Sequence, residues 1–162
     1  ELPRASPWNT NELVCVGPVL NMVNELFEIC CERAPDPADQ ERRIDAAIKA
    51  GVDVHQSDKN GVTALHHAVR FRSPIAVQSL IRSGANVNQR CRRNGSTPLH
   101  RAVCQTGAPG TAGRSEAVTE IVTMLLAAGA DPSIANKSGK TPADYVTNDL
   151  LRSLLSAKAK RG

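Results

Sequence analysis

The chain has few large rings. Phe, Tyr and Trp make up 2% of its 162 residues, as Trp8, Phe27, Phe71 and Tyr145. A core built around aromatic side chains is therefore excluded, and base stacking on aromatic faces has little to work with. No apolar run approaches the roughly 18 residues that a membrane-crossing helix needs, and no apolar stretch with a cleavage site opens the chain. It begins at Glu1 rather than Met, as expected of a fragment or a processed chain, with any targeting signal upstream.

A disulfide framework is also missing. The five cysteines, Cys15, Cys30, Cys31, Cys91 and Cys104, are odd in number and follow no framework spacing. Free thiols in a reducing compartment are expected, and so an intracellular setting, cytoplasm or nucleus. His100 and Cys104 stand four apart with Cys91 nearby, but without a paired CxxC or a fourth ligand they predict no metal site. No glycine loop for cradling phosphate is present. The pair His66–His67 has no nucleophile or acid at a suggestive spacing. The expectation is no catalytic residue, no cofactor, no small-molecule substrate, no membrane and no enzyme.

What is present is alanine, leucine and valine, which suit thin layers of closely packed helices. The formal charge is +4, unevenly spread. Eight of the sixteen acids lie between Glu25 and Asp53, whereas His55–Ser115 holds nine Lys or Arg against Asp58 alone. The middle of the molecule is basic.

The same phrase is written three times: NGVTALHHAVRF at 60–71, NGSTPLHRAVCQ at 94–105 and, more weakly, SGKTPADYVTND at 138–149. Gly51 to Gly84 is 33 residues and Gly61 to Gly95 is 34. A fixed period of this size marks a solenoid of stacked units. Thr63, Thr97 and Thr141 stand where an N-cap is needed, and Pro98 and Pro142 take the first helical position, where a missing N–H costs nothing. Leu65, Ala68 and Val69, like Leu99, Ala102 and Val103, give the first helix a narrow apolar stripe. In the second helix Val77, Leu80 and Ile81 match Val122, Leu125 and Leu126. Gly84 and Gly129 follow directly as helix-ending residues. One such unit cannot bury its faces alone; stacked units can.

In GVTALHHAV, LIRSGANVN, GSTPLHRAV, MLLAAGADP and GKTPADYV the chain resembles the ankyrin repeat family over roughly residues 20–155. The resemblance implies an all-α repeat solenoid of about four repeats in a right-handed curved stack, each an antiparallel helix pair with a β-hairpin projecting at right angles. It gives His66 and His100 a structural role, bonded within their own turn and to a neighbouring repeat.

Residues 1–18 read as an extended or disordered segment. The repeat domain is expected over 19–157, in units of about 19–57, 58–90, 91–135 and 136–157, with a basic tail at 158–162. The first unit places helices at about 19–31 and 38–49, lacks the Thr-Pro-Leu-His opening and is acidic. The third carries an insertion near 106–116, rich in glycine and small polar residues, which reads as a surface loop or a second contact site. Asp144 replaces the expected histidine in the last unit, putting the inter-repeat bond there in doubt.

The resemblance further implies protein recognition on a rigid concave surface made of hairpin tips and first-helix sides. Carried over position by position, the partner-binding candidates are Lys59, Asn60, Val62, Arg70 and Phe71 in the second unit. The third contributes Arg93, Asn94, Ser96, Cys104 and Gln105, and the fourth Lys137, Ser138 and Lys140, with Arg90, Arg92 and Arg101 close by. Phe71 lies beyond the buried Ala68–Val69 pair and reads either as an interface anchor or as packing over the next repeat. The hairpin containing RCRRNG is one residue longer than the one containing QSDKNG, since Gly84 to Gly95 spans 11 positions and Gly51 to Gly61 spans 10. Arg92 stands where Asp58 stands, so this hairpin is expected to be looser or differently shaped. Its arginines suit carboxylate or phosphate, because the planar guanidinium donates two parallel hydrogen bonds. The reading is an adaptor or scaffold module binding an acidic or mixed acidic–apolar protein segment. A basic nucleic-acid-associating solenoid, and a regulatory domain of a larger enzyme or channel, stay open beside it. Asn88 resembles a position that oxygenases hydroxylate in some members of the family.

Overall fold

Proline and small polar residues set where each helix starts. In this computed structural model, which describes residues 25–32, 35–104, 115–146 and 148–159, a helix over 25–30 (α1) is followed by α2 (Pro37–Lys49), α3 (Ala64–Arg70), α4 (Pro74–Arg82), α5 (Pro98–Val103) and α6 (Ser115–Ala127). A 3₁₀ turn over Pro142–Tyr145 and α7 (Asp149–Ala159) complete the series. The segment 1–18, residues 19–24 of the helix expected at about 19–31, residues 105–114 of the α5–α6 connection with Gln105 among them, and the end of the basic tail lie outside the described residues. Asp36 caps α2 by accepting from the Asp39 N–H at 2.9 Å, and Ser73 caps α4 through the Ala76 N–H, each with a proline next in line. A side-chain oxygen there satisfies a donor that has no partner inside the helix.

The helices stack in two layers. α3, α5 and the 3₁₀ turn pack side by side in one, with α2, α4, α6 and α7 following one another behind them. α3 buries six of its seven residues because it has a neighbour on each side; its last residue, Arg70, is exposed. Leu65, Leu80, Leu99 and Leu125 lie in one continuous apolar core with Ile44, Val77, Ile121 and Val122. Each buried leucine contributes about 1.5–3 kcal/mol by removal from water. A buried polar chain joins the first two units: Gln40 donates to the Ile29 carbonyl at 2.8 Å, and the Ser73 hydroxyl donates to Gln40 Oε1 at 2.5 Å.

The second-layer helices end alike. After α4, Gly84 in the left-handed region (φ +87°) sends its N–H to the Ile81 carbonyl, and Ala85 sends its own to Leu80. The same two bonds close α3, but through Arg72 at φ +54° and Ser73, reaching Val69 and Ala68 at 3.1 Å each. Arginine holds the place that glycine ordinarily takes.

The structure sharpens three details of the expected fold. The projecting hairpins are not strands: among the described residues the only bridge is Ser57 with Thr63, and each projection is a tight hydrogen-bonded turn, called a finger below. The fingers are too short for a ladder. α6 begins at Ser115, so the last two residues of the expected insertion at 106–116 are helical. α7 runs to Ala159, two residues into the expected tail.

Candidate partner-binding surface

The two histidines of the repeated phrase hold successive units in register. His66 Nδ1 accepts from the Thr63 N–H at 3.2 Å, which leaves Nε2 protonated to donate to the Ser96 carbonyl of the next unit at 3.3 Å. His100 repeats the arrangement with Thr97 and the Lys140 carbonyl, at 3.2 and 3.0 Å. With both nitrogens occupied, His100 has no lone pair for a metal. Burial, helped by the Arg101 charge and opposed by the Ser96 carbonyl, lowers His66 to about 3. Asp144 keeps the first half of the device: Oδ2 accepts from the Thr141 N–H at 2.6 Å. A carboxylate has no second nitrogen with which to reach onward.

The fingers at 58–62, 91–96 and 136–140 stand on this frame. In the first, Asp58 Oδ1 accepts from Asn60 and Val62 N–H groups at 2.8 and 2.9 Å; in the third, Asn136 does the same for Ser138 and Lys140. The middle finger is differently shaped. Cys91, and not Arg92 as expected, takes the position of Asp58 and Asn136, because its N–H closes the turn. The brace moves to Asn94, whose Oδ1 accepts from the Ser96 N–H at 3.2 Å and the Cys91 thiol at 2.8 Å. Adjacent fingers are stitched by one backbone bond each, Arg92 N–H to Asn60 O at 2.7 Å and Lys137 N–H to Asn94 O at 2.9 Å. The approach needs glycine, since a Cβ on Gly61 would lie 2.8 Å from Arg92 Cγ and 2.9 Å from its nitrogen.

The basic side chains divide into two populations. Arg42, Arg43, Arg82 and Arg152, all on second-layer helices, have carboxylate partners: Arg82, for example, reaches Glu41 at 3.0 Å and Asp45 at 3.3 Å. In the finger layer, Lys59, Arg70, Arg90, Arg92, Arg93, Arg101, Lys137 and Lys140 form no ion pair among the described residues. Some of these have other duties. Arg90 donates to the Gly95 and Ala135 carbonyls at 3.3 and 2.9 Å, Lys137 donates to the Arg92 carbonyl, and Lys140 lies 5.7 Å from the Tyr145 ring centre.

Two candidates leave the surface. Val62 and Ser96 are each only 6% exposed, because the foot of every finger is covered by the unit stacked beside it. Arg101 is half-buried beside Cys91. Burial pushes that thiol up, but the Asn94 and Ser96 backbone and the Arg101 guanidinium outweigh it, so the thiol lies below its ordinary value. Asn60 and Cys104 are half-buried, and Lys59, Arg70, Arg92, Arg93, Asn94, Lys137, Ser138 and Lys140 are exposed. Phe71 is half-buried at the C-cap of α3 and, unlike Phe27 or Ile81, is not packed against the core cluster.

One contact gave no sequence signal. Cys31 Sγ lies 3.4 Å from His67 Nδ1, and the Phe27 ring lies 5.6 Å from the imidazole. Burial raises Cys31 to about 11 despite Arg70, and burial with Arg101 lowers His67 to about 4. Both shifts favour the neutral pair, whereas cysteine nucleophiles need the thiolate. The contact is a structural hydrogen bond between neutral groups.

The sequence pattern described as ankyrin repeats (3 copies) matches residues 22–136. BCL-6 corepressor-like protein 1 of Homo sapiens is 32% identical over 67% of this chain, which covers 5% of that protein. Glycerophosphocholine phosphodiesterase gde1 of Schizosaccharomyces pombe is 34% identical over 74% of the chain and 9% of its own length. Protein phosphatase 1 regulatory subunit 27 of Mus musculus is 35% identical over 68% of the chain and 63% of its own length. The chain thus spans a small part of the first two relatives and less than two thirds of the third.

Proposed function

We propose a function from one premise: this chain belongs to the ankyrin-repeat family. It is a protein-interaction module without chemistry of its own, and it takes an acidic, or mixed acidic and apolar, segment of another protein along its fingers and the end of α3. The observation that carries this is the division of the cations. The described arginines of the second-layer helices are neutralised by carboxylates of that layer or by Glu32 just after α1, whereas Lys59, Arg70 and Arg93 extend from the finger layer with no carboxylate partner among the described residues. A rigid surface of one sign steers an oppositely charged partner and loses little ordering entropy when it docks. Half-buried Phe71, between Arg70 and Arg72, supplies an apolar contact for the mixed segment.

A labelled peptide of alternating Glu and Leu tests the reading by fluorescence polarisation, against a neutral peptide of equal length and a random oligonucleotide. The acidic peptide is expected to bind, more weakly as salt rises, and Phe71→Ala to weaken it with helicity unchanged. Tight oligonucleotide binding with a steep salt slope and no peptide binding replaces this reading with the nucleic-acid one.

A further inference from the structure

We infer that Arg93, the residue by which the middle finger exceeds its neighbours, is the specificity-determining contact of this surface and reads a carboxylate on the bound segment. The inference rests on the interaction reading above and names the residue that carries it.

The extra residue is located by hydrogen bonds rather than by alignment. In the outer fingers one turn closes over three intervening residues, Asp58 N–H to Val62 O and Asn136 N–H to Lys140 O, both at 2.9 Å. In the middle finger Cys91 N–H reaches Ser96 O at 3.0 Å over four. The stitches then fix which residue is surplus. Arg92 and Lys137 are equivalent, each sending its N–H to the preceding finger, and Asn60 and Asn94 are equivalent, each offering its carbonyl to the following one. Arg93 lies between these two duties and performs neither. Its backbone enters no hydrogen bond, its side chain has no described partner, and it is exposed.

The finger has been rebuilt around this residue. The carboxylate or carboxamide that opens the other fingers is replaced by Cys91, Asn94 supplies the brace instead, and Arg90 clamps the foot through Gly95 and Ala135. A tip braced from both sides fixes the backbone from which the apex side chain reaches out. An arginine there presents a planar fork that pairs with a carboxylate through two parallel hydrogen bonds, which an ammonium cannot do.

The same Glu–Leu peptide is titrated against the wild type and Arg93→Gln, Arg93→Lys, Arg92→Gln and Arg70→Gln, with urea midpoints measured for each. Both Arg93 variants are expected to bind at least tenfold more weakly at unchanged urea midpoints, and Arg92→Gln and Arg70→Gln less than threefold. Equal losses across all three positions overturn the inference in favour of a diffuse charge effect, as does Arg93→Gln within threefold of wild type. Full retention by Arg93→Lys overturns the paired hydrogen bonds. Absence of binding by the wild type sinks the interaction reading itself, and is seen before any variant is compared.

Discussion

The His100 imidazole donates from Nε2 to the Lys140 carbonyl, 3.0 Å away, and so ties one repeat unit to the next. His66 does the same toward Ser96. Keeping both bonds of each histidine requires a neutral ring, because Nδ1 accepts from a threonine N–H.

Acid should therefore weaken the stack. Unfolded histidines take a proton near pH 6.5, whereas burial holds folded His66 neutral to about 3 and His67 to about 4, and lowers His100 as well. Arg101 adds to the effect on His66 and His67, and Asp58 opposes it at His67. Below pH 6.5 the unfolded chain binds more protons than the folded one. Stability is complete above that pH and falls as pH drops toward 3, by up to about 1.4 kcal/mol per pH unit for each ring. Urea midpoints from pH 7.5 to 4.5 should decline, and NMR titration should place the His66 midpoint far below 6. A His66 midpoint near 6.5 contradicts the bond.

Much of this frame was legible in the sequence, because the signals act within four residues. Thr97 and Pro98 announce the start of α5, Gly84 the end of α4, and the 34-residue offset places Leu99 on Leu65. The surface was less legible. Val62 and Ser96 look exposed in a turn, and only the stacking of whole units covers them. Arg90 reads as a solvated charge until Ala135, 45 positions away, comes within reach. Cys31 meets His67 across 36 residues, and no local rule links the two.

Phe71 and Leu99 separate surface from core. Leu99 is 0% exposed, so Leu99→Ala leaves a cavity and should cost about 2–5 kcal/mol. Phe71→Ala should leave the melting temperature close to wild type. A comparable loss from both, by thermal unfolding, shows Phe71 to be core.

Gly61 sets the spacing of the fingers. Its φ is +69°, and a Cβ would meet Arg92 at 2.8 Å. Gly61→Ala should destabilise by about 1–2 kcal/mol from the left-handed backbone alone, and by more if Arg92 cannot yield. Faster amide exchange at Arg92, whose N–H holds the stitch to Asn60, should accompany it. Unchanged exchange there contradicts the close approach.

Ser79 has a buried hydroxyl, in a residue 1% exposed, with no hydrogen-bond partner. An unsatisfied polar group is costly, and alanine is the better helix former. Ser79→Ala should therefore raise stability by about 1 kcal/mol, read from the urea midpoint. A loss of stability means that the hydroxyl has found an acceptor.

Arg72 adopts φ +54° where the matching turns after α2, α4 and α6 use Gly51, Gly84 and Gly129. A side chain in this region costs roughly 1–2 kcal/mol, of which glycine gives back about 0.5–1 through its greater freedom when unfolded. The two effects nearly cancel, and the sign depends on what the guanidinium contributes. Arg72→Gly should stabilise by about 0.5 kcal/mol in urea titration. Arg72→Ala keeps the backbone strain but removes the long side chain, so it isolates the second term. If Arg72→Ala is neutral and Arg72→Gly stabilising, the turn is strained and the arginine is retained for something other than stability. If both destabilise, the side chain secures the junction of α3 and α4 and outweighs the strain it brings.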